Sequence, residues 1–312
     1  MIALPKITEK IKIRMNELGP IWGQNVANNV KEMVSLYSEI LAQSSREDLE
    51  SFHEIPYGLD NRHVLDIFKP SRASNFPVLV FVHGGAFVDG SKDRSKEIYS
   101  NVLRNFNRHG YVGINLEYRL APEHKYPAGT DDIESSLVWI KANISKYGGD
   151  PEKIFLMSHS AGAAHTCDYL YNSKRKSPIS ESILGHIIVS GRVRIEMRSD
   201  NPNAKKVEAY YGNNPSAHES ASAVNMLSEN FVETMIAIAE YENPLIDIHC
   251  IELAHKISQI KNKSPHLAWL GGHNHTSIIG SLDTDDTRLS NAILSFMEKC
   301  LLIKSNASFS EK

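Results

Sequence analysis

Residues 155–162 read Phe155-Leu156-Met157-Ser158-His159-Ser160-Ala161-Gly162, an apolar strand running into a small-x-Ser-x-Gly turn. Such a turn puts its central serine on a sharp strand-to-helix bend, where only small neighbours fit and the hydroxyl stands clear of the sheet. Ser160 is the candidate nucleophile, with Ser158 in the place usually held by glycine. A hydroxyl attacking an acyl carbon creates a negative oxygen, and preorganised N–H donors aimed at it supply the largest catalytic contribution, roughly 3–4 kcal/mol per donor. Upstream, the apolar run Pro77-Val78-Leu79-Val80-Phe81-Val82 ends in His83-Gly84-Gly85-Ala86-Phe87. Glycines there let backbone amides crowd a reacting atom. The amides of Gly84, Gly85 and Ala161 are the expected oxyanion donors.

A serine hydroxyl is a weak nucleophile until a histidine takes its proton and a carboxylate orients that histidine. Where the serine sits on such an elbow, acid and histidine follow it in that order, each on a loop after a later strand. After the run Thr234-Met235-Ile236-Ala237-Ile238-Ala239 come Glu240, Tyr241, Glu242, Asn243 and Pro244. Glu242 fits the acid best: it lies past the strand end, while Glu240 falls where the strand still runs and Asp247 is already inside the following helix. Further on, Leu267-Ala268-Trp269-Leu270 leads into Gly271-Gly272-His273-Asn274-His275, so two histidines compete for the base. His275 has the loop length to swing from the sheet edge towards Ser160, and His273 is expected to pack or hydrogen-bond the loop. His-x-His can ligate zinc, but no other Cys/His cluster supplies a third ligand. Neither a metal nor a cofactor is expected.

The elements that must hold these residues alternate. Strand-like runs at 63–69, 77–83, 111–118, 153–159, 183–190, 234–241 and 265–270 interleave with helical stretches near 93–109, 131–147, 162–173, 245–261 and 286–300. That order implies a mostly parallel sheet with helices on both faces. In the 131–147 helix, Ile133, Leu137, Ile140 and Ile144 form one apolar stripe for packing on the sheet. Residues 1–50 and the Asn/Ser-rich stretch 192–230 stand outside the alternation and are read as a cap on a single domain spanning 1–312. Within the first, Val26, Val30, Met33, Val34, Tyr37 and Leu41 make a helical face that either covers core or forms a lid over the strand ends, where open α/β sheets bind ligands.

The 312 residues are 41% hydrophobic, with 34 Lys+Arg against 37 Asp+Glu and a net charge of −3, which argues against a nucleic-acid partner. No apolar run of membrane-spanning length exists. Met1 to Arg14 lacks the apolar stretch of a secretory signal, so a cytoplasmic location is expected. Cys167, Cys250 and Cys300 are odd in number and follow no metal or redox spacing.

These residues together resemble the α/β-hydrolase superfamily, in particular the carboxylesterases related to hormone-sensitive lipase and the neighbouring arylformamidase-like esterases. The resemblance covers roughly residues 55–300 and includes Tyr118-Arg119-Leu120-Ala121-Pro122-Glu123, Tyr126-Pro127-Ala128, Trp139 and Gly148-Gly149-Asp150-Pro151. It implies an α/β-hydrolase fold with a helical cap, a nucleophile at Ser160, an oxyanion hole from Gly84, Gly85 and Ala161, and a base three residues past Gly272, at His275. The segment Ala239-Glu240-Tyr241 then aligns Glu242 with the family's acid, with Asn243 as an extra residue. The chain departs from the pattern at Ala86, Ser158 and the glutamate itself, none of which removes a required chemical group. The expected activity is hydrolysis of small to medium neutral carboxylic esters through an acyl-enzyme. An arylformamidase or amidase would use the same triad, and a catalytically silent ligand-binding protein would keep the fold alone. The expected partner is a small-molecule ester or amide, and a homodimer is compatible with the reading.

Overall fold

The computed structural model describes residues 4–175, 177–229 and 231–310. Eight strands form one sheet: β1 (Leu49–Pro56), β2 (Val64–Pro70), β3 (Phe76–Val82), β4 (Val112–Leu116), β5 (Gly149–His159), β6 (Ile183–Val189), β7 (Thr234–Tyr241) and β8 (His266–Asn274). Their order is β1-β2-β4-β3-β5-β6-β7-β8. Both pairings of β2 are antiparallel, and every pairing from β4 across to β8 is parallel. The helices are α1 (Glu9–Leu18), α2 (Val26–Leu41), α3 (Ser100–Asn107), α4 (Ala128–Asn143), α5 (Gly162–Tyr171), α6 (Ala204–Tyr211), α7 (Pro215–Ala221), α8 (Ile246–Lys261), α9 (Ser277–Gly280) and α10 (Arg288–Ser310).

Strand β3 shows why the centre of the sheet reads as an unbroken apolar run. Val78, Leu79, Val80, Phe81 and Val82 are all fully buried, because helices cover both faces of a parallel sheet. Alternate side chains then feed different cores. Val78, Val80 and Val82 pack with the α4 stripe of Ile133, Leu137 and Ile140 and with Ile144 just beyond it. Leu79 and Phe81 pack with α3, α10 and the N-terminal helices.

The N-terminal segment divides its two faces between two tasks. Ile11, Met15, Trp22, Met33, Tyr37 and Leu41 enter the main core, while Val26, Val30 and Val34 of α2 line a cavity at the ends of the parallel strands. Pro202, Asn203 and Lys206 reach the same cavity from the other stretch outside the alternation. In that stretch Ile195, Val207 and Tyr210 pack on Phe87, Ala161 and Ala164. Residues 1–3 and 230 of the two stretches lie outside the described residues.

Three expected spans come out differently, and one strand was not expected at all. The chain at 91–99 is loop, and helix α3 begins only at Ser100, because Tyr99 takes a left-handed backbone (φ 85°) with its N–H donating to Asn101 Oδ1. Strand β8 continues to Asn274 past a kink at Gly272 (φ 78°), so His273 belongs to the strand. Helix α10 runs on to Ser310. Strand β1 has no apolar run to announce it, since most of its residues are exposed at the sheet edge.

Candidate active site

Ser160 stands between the end of β5 and the start of α5 with φ 54°, a left-handed conformation that a non-glycine residue rarely adopts. The surrounding packing imposes it. A Cβ on Gly162 would lie 2.5 Å from the Val82 carbonyl oxygen, and one on Gly84 would lie 2.7 Å from Ser160 Cβ. Both positions must be glycine for the elbow to nest against the end of β3. Ser158, where glycine was the expectation of the motif, is fully buried, and its hydroxyl accepts from Thr166 Oγ1 on α5 at 3.1 Å. The hydroxyl is thus satisfied inside the turn.

Three loops converge on Ser160. His275, the first residue after β8, brings Nε2 to 3.0 Å from Ser160 Oγ. Its Nδ1 lies 2.6 Å from Glu242 Oε2. Glu242 follows β7 directly, and its second oxygen accepts from Ser190 Oγ at 2.6 Å and from the Ala239 N–H at 2.8 Å. With 1% of its side chain exposed, the carboxylate is held by donors on both oxygens, which fixes its rotamer as well as its charge. The longer arm of glutamate is accommodated because the side chain folds back onto the Ala239 amide of its own strand.

The competing residues lie elsewhere. His273 is buried with Nδ1 3.0 Å from Ser277 Oγ and Nε2 3.0 Å from Asp286 Oδ2. Glu240 accepts from the Gly272 N–H at 2.7 Å, and Asp247 lies in the first turn of α8. Because all four ring nitrogens of His273 and His275 are committed to different partners, the His-x-His pair shares no metal position. Among the described residues, one other acidic group is close enough to bind a cation: Glu54, Asp66 and Asp93. The Lys92 ammonium already lies 2.6, 2.9 and 2.6 Å from them.

The expected oxyanion donors come from two elements. Ala161 caps α5 from its N-terminal end, where backbone N–H groups have no partner within the helix and the helix dipole favours negative charge. Gly85, at φ 148°, must be glycine, since a Cβ there would lie 1.8 Å from the Asp89 carbonyl oxygen. Gly84 stands against the nucleophile, since a Cβ there would lie 2.7 Å from Ser160 Cβ, and Gly84 and Gly85 both line the cavity that opens on Ser160. Ser190, Tyr99 and His159 were not singled out from the sequence. Ser190 and Glu242 are 52 positions apart, and no local pattern links them.

A cavity of about 580 Å³ opens on Ser160 and His275, with Val26, Val30, Val34 and Ile279 on its apolar side and Arg94 and the Asp89–Lys206 ion pair among its polar groups. Its size falls in the ordinary range of small-molecule sites.

Residues 65–277 match the BD-FAE family model. The chain belongs to the BD-FAE family. The BD-FAE chain is also similar to two curated proteins of Mycobacterium tuberculosis. Esterase LipC is 37% identical over 110 residues, 34% of this chain and 26% of that protein. Carboxylesterase NlhH is 36% identical over 105 residues, 34% of this chain and 32% of that protein. The match therefore spans a third or less of the length of these relatives. Among solved structures, Esterase B from Lactobacillus rhamnosis superposes with a TM-score of 0.73 at 15% identity, covering 96% of this chain and 99% of its own. A bacterial heroin esterase superposes with a TM-score of 0.66 at 20% identity, covering 89% and 92%. The fold is that of the α/β-hydrolases, and no helix among the described residues is long and apolar enough to cross a membrane.

Proposed function

We propose that this BD-FAE chain is a serine carboxylesterase acting on small to medium neutral esters through an acyl-enzyme. The observation that carries the reading is the continuous line of contacts from Ser160 Oγ through His275 to Glu242, at 3.0 and 2.6 Å. His275 Nε2 takes the Ser160 proton as Oγ attacks the ester carbonyl carbon, and the carbonyl oxygen becomes an oxyanion facing the Gly84, Gly85 and Ala161 amides. The tetrahedral intermediate collapses, its C–O bond breaks, and His275 passes the proton to the departing alcohol. Water then attacks the acyl-enzyme with His275 again as base, releasing the acid and restoring Ser160. Glu242 stays ionised and holds the imidazole in the tautomer with its proton on Nδ1. No step calls for a cofactor.

The named relatives support the ester class, and the apolar wall formed by α2 suits an uncharged acyl or alcohol group. Residues 1–50 and 192–230 act in this reading as the cap of a single domain. The three cysteines are buried thiols without disulfides, in keeping with a reducing, cytoplasmic setting.

The test is mixing with excess p-nitrophenyl butyrate, with an N-formyl aromatic amine and an anilide run alongside. A burst of nitrophenol equal to the enzyme concentration supports the acyl-enzyme. Faster turnover of the formamide would assign the site to the arylformamidase class. Absence of both burst and turnover would mark a binding protein.

A further inference from the structure

We infer that His159 and Tyr99 are positioning residues that anchor the backbone carbonyl of His275 through the residue immediately before the nucleophile. The inference rests on the reading of His275 as the base. His159 closes β5 immediately before Ser160, and its ring is buried. Nε2 lies 3.0 Å from the His275 carbonyl oxygen, and Nδ1 lies 3.3 Å from the Tyr99 hydroxyl.

The proton positions in this chain follow from chemistry. A carbonyl oxygen only accepts, so His159 carries a proton on Nε2. In the neutral ring Nδ1 is then an acceptor, and the Tyr99 hydroxyl donates to it. The result is one directional line: Tyr99 O–H to His159, then His159 N–H to the His275 carbonyl.

Burial, and then the neighbouring His275 and Arg94, hold the His159 imidazole well below its ordinary range. Its ring therefore stays neutral when His275, with ring centroids 4.8 Å away, takes the Ser160 proton. Two imidazolium rings at that distance would repel. The backbone of His275 has two anchors: its N–H donates to the Tyr241 carbonyl at 3.0 Å, and its own carbonyl accepts from His159. Losing the second lets the base drift from Ser160, and a displacement of about 1 Å can cost on the order of 100-fold in rate.

The experiment compares His159→Asn, His159→Gln and Tyr99→Phe in the full chain with p-nitrophenyl butyrate. Asparagine keeps a polar atom near the Nδ1 position without reaching the His275 carbonyl, while the glutamine amide places an N–H donor near the Nε2 position. We expect His159→Asn to lower kcat by about 10–100-fold with KM within about twofold, and fluorophosphonate labelling to slow in step. His159→Gln should recover most of that loss. Tyr99→Phe, which keeps the ring packing, should lower kcat on the order of threefold to tenfold at unchanged KM. A wild-type kcat in His159→Asn, or equal losses with Asn and Gln, would overturn the role of His159. An unchanged kcat in Tyr99→Phe would overturn that of Tyr99, and would decide the matter alone should neither His159 variant fold. His275→Ala separates the two readings: retained turnover there sinks the base assignment, whereas an inactive His275→Ala beside a fully active His159→Asn sinks only the tie.

Discussion

Ser190 Oγ donates to Glu242 Oε1 at 2.6 Å, on the carboxylate oxygen that His275 does not touch. The acid is therefore oriented from behind by a hydroxyl at the end of β6. Glu242→Gln should lower kcat by about 10³–10⁴-fold with little change in KM, as loss of an orienting carboxylate does. Ser190→Ala should lower it by about tenfold, since the Ala239 amide still holds the same oxygen. Steady-state kinetics on purified variants check both. A larger loss from Glu240→Gln than from Glu242→Gln would reassign the acid.

Ser160→Ala should keep the fold, because the left-handed turn is imposed by Gly84 and Gly162 around it. Turnover should drop by about 10⁴-fold or more. A fluorophosphonate probe should label the parent protein and leave this variant unlabelled. Labelling that persists would point to another nucleophile.

His275→Ala and His273→Ala should separate cleanly. The first should abolish esterase activity across the pH range. The second leaves Asp286 and Arg288 without the imidazole between them and Ser277, and should lower stability by about 1–3 kcal/mol while turnover remains. Urea unfolding alongside kinetics reads both effects, and the reverse ranking would exchange the two assignments.

The two faces of α2 predict different consequences. Val30→Trp or Val34→Trp fills the cavity and should shift preference among p-nitrophenyl esters towards shorter acyl chains, with the fold intact. Met33→Ala or Tyr37→Ala empties the main core and should cost about 2–5 kcal/mol. A chain-length profile that Val30→Trp leaves unchanged would remove α2 from the substrate site.

Two buried histidines away from the site set an acid limit. Burial pushes His165 and His186 each down to about 3, whereas in the unfolded chain they titrate near the ordinary value of about 6.5. Between those values the unfolded chain binds more protons, so stability is fully present above about pH 6.5 and declines as pH falls towards 3. Urea midpoints measured from pH 7 to 4.5 should fall accordingly. His186→Gln should flatten the slope by about one proton, and an unaltered slope would show that the ring is protonated in the fold.

What was legible in the sequence follows from how each residue is held. Strands β3, β5, β6 and β7 are buried on both faces and stood out as apolar runs. The order Ser160, Glu242, His275 was readable because each lies next to a strand end. Strand β1 was illegible because its exposed edge needs no apolar pattern, and the loop at 93–99 looked helical because apolar spacing does not register the positive-φ turn that Asn101 caps at Tyr99. The kink at Gly272 hid the true end of β8: the loop length on which His275 was preferred to His273 is strand, and His275 follows it directly. Ser190 and Tyr99 act through contacts with residues 52 and 60 positions away, a relation no local pattern carries.

The contact between Tyr37 and Gly280 bears on the order in which the protein can become active. A Cβ on Gly280 would lie 2.8 Å from the Tyr37 ring, so α2 seats directly on α9. The cavity wall of α2 thus finds its seat only when residues 277–282, far later in the chain, have left the ribosome, together with His275. A nascent chain halted before that point holds the serine elbow and most of the sheet but neither base nor finished cavity, and the proposed chemistry waits on those later contacts.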